Sequence, residues 1–462
     1  MPASLNRRQL LGTLAGTSFA GTLGGISAAQ TESASITVPV SSRSFETEIL
    51  VCGGGPAGFS AATNAARLGR KILLLERYGR LGGMGVNARV WPLMGGVNSP
   101  FVKEVHNKIG GNGFDPEQAD LHYADLLEQA GAKILLHTWV TEPLMEGNRI
   151  VGVKAICKEG ILTIRAELVI DATGDADIAA AAGVPFDIGR DGDGLVQPMS
   201  IMFAVEGVAD DAKHCGSEEA ARGAKINGTE TWETVTAQAQ KNGELPDTIG
   251  VVRTYKMGRK GKACVNATQI NRLYGTKVED LTKAELECRR QAFRVVEFMR
   301  KHLPGYENCY VSHMPTVIGV RETRRIRGLE QLKREDLITG RKWDNAVVRE
   351  SQFAIDIHNP DGGGQAENQN DTAIQGGAVQ VKPYDIPLTC MIPQKVEGLL
   401  VAGRCISGTH DAHASYRVQN ICMAMGAGAG VAAATALNDK TELAAVNIEK
   451  VQKILFHSKP QL

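Results

Sequence analysis

The chain reads as an α/β protein: a Rossmann-like three-layer domain, discontinuous in sequence, with an α+β domain inserted into it. Three observations predict this. A strand, a glycine-rich turn, a helix and a second strand follow one another from Glu48 to Glu76. The pattern changes between 191 and 395, where strands alternate with long polar helices. The first pattern returns at Gly398, with a buried strand and a small-residue helix. The boundaries this implies are a leader at 1–29, a linker at 30–46, the first domain at 47–190 and 396–440, the inserted domain at 191–395, and a tail at 441–462.

The opening unit carries its own chemistry. Glu48 to Cys52 is a short apolar strand, and Gly53-Gly54-Gly55-Pro56-Ala57-Gly58 follows at once. Phe59 to Leu68 is Ala-rich and helical, ending at Gly69. Lys71 to Glu76 is a second buried strand. This is the dinucleotide-binding arrangement: Gly53 for the tight turn, Gly55 for close approach to a pyrophosphate, and Gly58 for helix packing. The helix N-terminus offers N–H groups and positive dipole to phosphates. Glu76, at the end of the second strand, suits ribose hydroxyls.

Further along, Asp115 to Ala130 reads as a helix. Lys133–His137 and Val151–Ile156 read as strands, as do Ile161–Ala166 and Leu168–Ala172. Thr282-x-x-Glu285 has the form of a capping box opening a helix to about His302. Leu399–Gly403 is a strand, and Val418–Leu437 a helix containing Gly426, Gly428 and Gly430.

Composition narrows the function. Lys+Arg and Asp+Glu are both 51, so neither nucleic acid nor an anionic membrane has an electrostatic claim. Glycine is 52 of 462 residues, about 11% against a usual 7% or so. Nine cysteines include no C-x-x-C pair; they read as buried small hydrophobes, an isolated disulfide staying open. At the start, Asn6-Arg7-Arg8-Gln9-Leu10-Leu11 leads into an uncharged run closed by Ser27-Ala28-Ala29. This resembles a twin-arginine (Tat) export signal, cleaved after Ala29. A disordered tail is the alternative. The run is too rich in glycine for a membrane anchor, so no stable membrane insertion is expected. The expected location is exported, periplasmic or secreted.

These segments together resemble the FAD-dependent oxidoreductase family of the glutathione-reductase-like flavoproteins, related to the flavoprotein part of heterodisulfide reductase. The matching residues are the turn at 53–58, Glu76-Arg77-Tyr78, Leu81-Gly82-Gly83-Met84, Asp171-Ala172-Thr173-Gly174-Asp175, Ile318 to Arg325, and Leu400 to Ser407. The resemblance implies an FAD-binding domain. Gly53, Gly55, Pro56, Ala57 and Gly58 would hold the pyrophosphate, and Glu76 and Arg77 the adenosine end. Gly82, Gly83 and Met84 would lie along the pyrophosphate or flavin, with Val140 against the adenine. Gly174 and Asp175 would close the tunnel, and Gly403 would place backbone against the ribityl chain; Arg404, also a cofactor-side position, stands where the wider superfamily usually has Asp and cannot accept a hydrogen bond from a ribityl hydroxyl. Relatives in the heterodisulfide-reductase lineage carry 4Fe–4S clusters. This chain has no C-x2-C-x2-C run, so a cluster is not expected.

No second glycine-turn unit or redox dithiol is present, which points to a small-molecule substrate and a separate electron carrier. Thr409-His410-Asp411-Ala412-His413 passes the flavin in the resembled fold, making His410 and His413 acid–base candidates. Loop histidines bonded to backbone are the alternative. A metal site would need a third ligand, which the sequence does not indicate. Arg321 and Arg325, with Arg417, could clamp a carboxylate; a solvated helix face with internal ion pairs is the alternative, Glu322 pairing with one arginine in either case. Asp356-x-His358 places two side chains on one face of an expected strand. Gly362-Gly363-Gly364 and the Gln/Asn-rich stretch to Asn370 read as a loop over the site. The function expected is an exported flavoenzyme moving a hydride between an organic substrate, in one form a carboxylate, and flavin. Rival readings are a flavin monooxygenase and a flavoprotein that serves a larger redox complex as electron relay or scaffold.

Overall fold

The computed structural model describes residues 43–111, 114–364 and 379–457. The leader, the linker as far as 42, and the 365–370 part of the expected loop lie outside them.

Seven strands form the main sheet. Lys133–Leu135, Ile72–Leu75 and Arg43–Cys52 run parallel in that spatial order, and Arg43–Cys52 pairs in parallel with Gly160–Asp171. Beyond it, Arg149–Cys157 and Trp139–Glu146 form an antiparallel meander. Leu399–Val401 joins the far half of Gly160–Asp171 in parallel, with Leu399 opposite Val169 and Val401 opposite Asp171. So one strand carries both the meander and the returning segment. Two strands were expected there; the intervening Glu167 is simply an outward position on a continuous ladder. The first strand also starts earlier than expected. Arg43 to Glu46, read as linker, pairs with Leu162 to Arg165.

The Pro56–Arg67 helix lies against the 21-residue Gln419–Asp439 helix. The contact explains the small residues on both. A Cβ on Gly426 would stand 2.0 Å from the Ala57 carbonyl oxygen, and one on Gly430 would stand 2.2 Å from that of Ala61. A Gly-x-x-x-Gly ridge therefore meets an Ala-x-x-x-Ala ridge, backbone to backbone. Gly426→Ala is expected to force the helices apart and cost about 3 kcal/mol, in the upper range for overpacking. Chemical denaturation compared with wild type measures it. Gln419–Asp439 is also, among the described residues, a helix long and apolar enough to cross a membrane; here it is buried.

A second core has its own sheet, with spatial order Arg253–Lys256, Lys262–Asn266, Met202–Glu206, Tyr310–His313, all antiparallel. The Val278–His302 helix packs there through Cys288, Ala292, Val295 and Met299. That helix begins four residues before the expected capping box. Glu279 and Asp280 supply its acidic first turn. Thr282 sits inside it, its hydroxyl donating to Val278 O at 2.8 Å, and Glu285 accepts from Ile318 N at 2.6 Å. The second core's residues run from Met199 to Ile318, whereas Leu332 to Ile392 belong to the first core. There Ala346–Gln352 pairs with Tyr384–Pro387 and with Gly96–Asn98. The segment read as a tail holds a helix, Ile448–His457, with Val451 buried. Asp356 and His358 lie outside any strand, 3.7 Å apart at their polar atoms. All nine cysteines are free thiols, eight of them buried.

Candidate active site

The glycine turn is where the site begins. Gly53 has φ of +101°, a left-handed conformation that excludes a side chain. A Cβ on Gly58 would lie 1.7 Å from Gly53 O, so the helix can start there only without one. Gly55 is the N-cap and Pro56 the first helical residue, with no side chain capping the helix. The first-turn N–H groups are thus left for an anion.

Glu76 follows directly on the Ile72–Leu75 strand. Its Oε2 accepts from Gly54 N at 2.7 Å and its Oε1 from Tyr78 N at 2.9 Å. Burial pushes its carboxyl upward, and those two amides oppose that. A carboxylate so pinned is a fixed acceptor for sugar hydroxyls.

These residues line one cleft, open to solvent along part of its wall. Gly53, Gly55, Pro56, Ala57, Glu76, Arg77, Gly83, Met84, Val140, Gly174, Asp175, Gly403 and Arg404 all face it. So thirteen of the fifteen sequence-predicted cofactor positions come together, from separate segments of the chain. The other two stand behind. Gly58 sets the helix–turn contact, and Gly82 caps the short Gly83–Val86 helix at φ of +92°. A cleft lined by a glycine turn, an uncapped helix N-terminus and a carboxylate held by two amides fits FAD. A second hollow, about 850 Å³, lies among Asn64, Arg67, Ser99, Phe101 and Ile454 and holds none of the predicted residues.

The turn at 173–175 is organised by a residue the sequence showed only as part of a motif. Asp171 is fully buried. It accepts from Thr173 N (3.0 Å), Thr173 Oγ1 (2.7 Å), Ile178 N (3.0 Å) and Ala179 N (2.8 Å). Arg404 then ties this turn to the second core, donating from Nε to Gly174 O at 2.9 Å and also to Val320 O and Asp175. Thr323 Oγ1 donates to Asp175 at 2.8 Å.

Asp177, beside them in the cleft wall, has its carboxyl raised from 3.8 to about 6 by burial and then by Asp175 and Asp171, against the pull of Arg324. Folded protein thus holds this proton more tightly than unfolded chain. The contribution is fully present below about pH 3.8 and is lost as pH rises through about 6. Asp177→Asn is expected to flatten the stability–pH slope between pH 4 and 6. It should also add about 1–2 kcal/mol at pH 7, after discounting for partial exposure. Denaturant titrations at those pH values check it.

The candidate catalytic residues divide. Arg417 lines the cleft, with Gln419 and Cys422. Its Nη2 donates to Asp356 O at 3.1 Å and Gln197 Oε1 at 3.3 Å and lies 3.6 Å from the Asp356 carboxylate, while its Nε has no partner. Arg321 stands behind it. Its Nη1 donates to Pro198 O at 2.6 Å, and burial together with Arg417 pushes its guanidinium down to about 9. Arg253 and His358 share this cationic pocket; burial and then Arg321 hold His358 well below the ordinary histidine range. Nothing in their local sequence marks them as neighbours.

Two expectations need correction. Arg325 is not a substrate clamp. It is buried, with Nε on Gly408 O (3.0 Å), Nη2 on Gly189 O (2.8 Å) and Nη1 on Glu322, so its fork is already filled. His413 is a core residue: it is 0% exposed, does not line the cleft, and packs edge-on against Tyr416 at 5.6 Å. Burial and then Arg325 hold it neutral. His410 does not line the cleft either; it is buried at the start of its helix, but unlike His413 it is held by a partner, with Nδ1 2.9 Å from Glu322 Oε1.

Known proteins bear on this site. The chain is 32% identical over 160 residues to thiamine thiazole synthase of Methanococcus aeolicus, spanning 29% of this chain and 58% of that one. It is 32% identical over 110 residues to dihydrolipoyl dehydrogenase of Geobacillus stearothermophilus, 24% and 23% of the two chains. It is 30% identical over 154 residues to digeranylgeranylglycerophospholipid reductase of Picrophilus torridus, 28% and 39% of the two. The chain therefore spans less than two thirds of each relative. A solved geranylgeranyl bacteriochlorophyll reductase-like protein of Thermoplasma acidophilum superposes with a TM-score of 0.46 at 16% identity, over 89% of this chain and 82% of that one. The FAD dependent oxidoreductase model matches residues 48–455, and with that match nearly the whole described chain, glycine turn to C-terminal helix, belongs to the FAD-dependent oxidoreductase family.

Proposed function

We propose that this FAD-dependent oxidoreductase moves a hydride between a small organic carboxylate and the flavin, as an exported enzyme that exchanges electrons with a separate carrier. One observation carries the substrate side: Arg417 faces the same cleft as the glycine turn, with Nε unpartnered. Arg321 adds a second guanidinium beside it. A carboxylate seated there would meet planar donors in a water-poor setting, where charge-assisted hydrogen bonds are strongest.

Bound FAD supplies two-electron hydride chemistry. The chain's own residues do the rest. Gly53, Gly55 and the bare helix N-terminus would hold phosphate, Glu76 would hold ribose, and Gly403 would meet the cofactor, all of them lining the cleft. Arg417 orients the substrate. Gln197, pinned between Arg417 and the 322 region, keeps that guanidinium in place. Export is supported by Arg7-Arg8 and the small-residue close at Ala29. Fractionation of the natural host with an antibody, and N-terminal sequencing, test it: a mature chain starting near Gln30 outside the cytoplasm supports export, and a full-length cytoplasmic chain refutes it. For the chemistry, anaerobic bleaching of the flavin by organic acids is the test, developed in the Discussion.

A further inference from the structure

Gln197 joins two groups of side chains that are far apart in sequence. Its backbone N–H donates to Glu322 Oε2 at 2.9 Å. Its side-chain Oε1 accepts from Arg417 Nη2 at 3.3 Å and from His358 N–H at 3.2 Å. Glu322 is 1% exposed, and its other oxygen meets both His410 Nδ1, at 2.9 Å, and Arg325. Burial opposes ionisation of Glu322, but His410 and Arg325 outweigh it and hold the carboxyl below the usual range. An ionised carboxylate only accepts, so His410 Nδ1 must be the donor. That leaves Nε2 as the ring's free lone pair in the neutral form.

His410 Nε2 is buried and has no hydrogen-bond partner. Two further buried atoms in the same chain of contacts share that condition, Gln197 Nε2 and Arg417 Nε. Buried polar atoms are nearly always satisfied, and three unsatisfied ones in one connected group, with Arg417 on the cofactor cleft, mark a place for a polar ligand.

We infer that these three atoms receive the reacting end of the substrate, with Arg417 and Gln197 donating to its anionic group and His410 Nε2 taking its proton. This rests on the hydride-transfer reading above. In the oxidative direction the substrate's C–H pair leaves as hydride to the flavin, and its O–H or N–H proton passes to His410 Nε2. The C–O or C–N bond becomes double. Two electrons leave the substrate and both reach the flavin. Glu322 is a positioning residue: it fixes the Nδ1–H tautomer and supports the imidazolium that forms. The other charged or titratable groups facing this region are Arg325 and Arg321 from Glu322's own segment, Arg404 from the strand end, Asp356 (3.6 Å from Arg417) and His358 beside Gln197, and His413, Arg417 and Asp411 around the histidine's helix. Asp411 is paired with Arg334 at 3.2 Å.

The test uses the FAD-loaded full chain with isotope-labelled histidine. Nitrogen NMR reads the His410 tautomer in the wild type, with assignment from His410→Gln. A proton on Nδ1 and a bare Nε2 supports the inference; the reverse tautomer overturns it. Glu322→Gln is then expected to loosen the Nδ1–H tautomer, since an amide offers both a donor and an acceptor. It should also change the pH–rate profile and lower the maximal bleaching rate by about 10- to 100-fold. The probes are lactate, malate and glycolate. A tautomer and a pH–rate profile both unchanged in Glu322→Gln would overturn the positioning role. Failure of wild type to bleach with any probe counts against the substrate reading, while the tautomer still decides the histidine.

Discussion

Gly58→Ala is expected to yield a protein that no longer retains flavin. The new methyl would stand 1.7 Å from the Gly53 carbonyl oxygen and 2.8 Å from its carbon, both backbone atoms that no rotamer change can move aside. Relief requires the Pro56–Arg67 helix to lift off the strand end. That displaces the bare N-terminus that serves the pyrophosphate, and strains the contact with Gly426 and Gly430. We expect FAD affinity to fall at least 100-fold, about 2.8 kcal/mol, with a comparable loss of stability. Gly223→Ala is the control, since a Cβ there meets nothing within 4 Å; it should keep wild-type flavin content. Flavin-to-protein absorbance ratios and fluorescence titration of the apoproteins measure both.

Arg417→Ala should act on the other partner. FAD contacts along the rest of the cleft persist, so flavin content should stay near wild type. The substrate loses a charged donor in a buried site, which commonly costs 2–5 kcal/mol. We therefore expect kcat/KM for a carboxylate substrate to fall about 30- to 5,000-fold. Arg417→Lys should recover only part of it, because an ammonium cannot reproduce a planar fork. Loss of flavin from Arg417→Ala would instead make this arginine part of the cofactor's own support. Arg325→Ala should differ in kind. Its fork holds Gly189, Gly408 and Glu322 together, so unfolding, rather than slower turnover, is the expected consequence.

Local patterns were readable because they are local. The strand–turn–helix–strand unit and Glu76 depend on residues within a single stretch of chain, and all were legible. So were the glycines at 174 and 403, through their motif. What the sequence hid depends on contacts between distant residues. Glu322 and His410 are 88 positions apart, and neither neighbourhood announces the other. Asp171 sits in a visible motif, yet its four hydrogen bonds come from a turn and a helix that form only in the fold. The burial of Arg325 was equally hidden: in Arg-Glu-Thr-Arg-Arg the five residues look alike in polarity, and only pairing of Arg324–Ile326 with Phe186–Ile188 turns this one inward. The capping-box reading at Thr282 failed for a related reason. Acidic residues at 279 and 280 serve an earlier start equally well, and Glu285 is drawn instead to the Ile318 amide.

The measurement that bears most directly on the central claim is anaerobic flavin bleaching by matched pairs of compounds, a 2-hydroxy acid and its methyl ester or amide. The account predicts a yellow holoprotein whose flavin is bleached by a carboxylate at least about 100-fold faster than by its neutral partner. It also predicts that Arg417→Ala removes that preference. Equal rates with acid and ester, or a preference that survives Arg417→Ala, would contradict it.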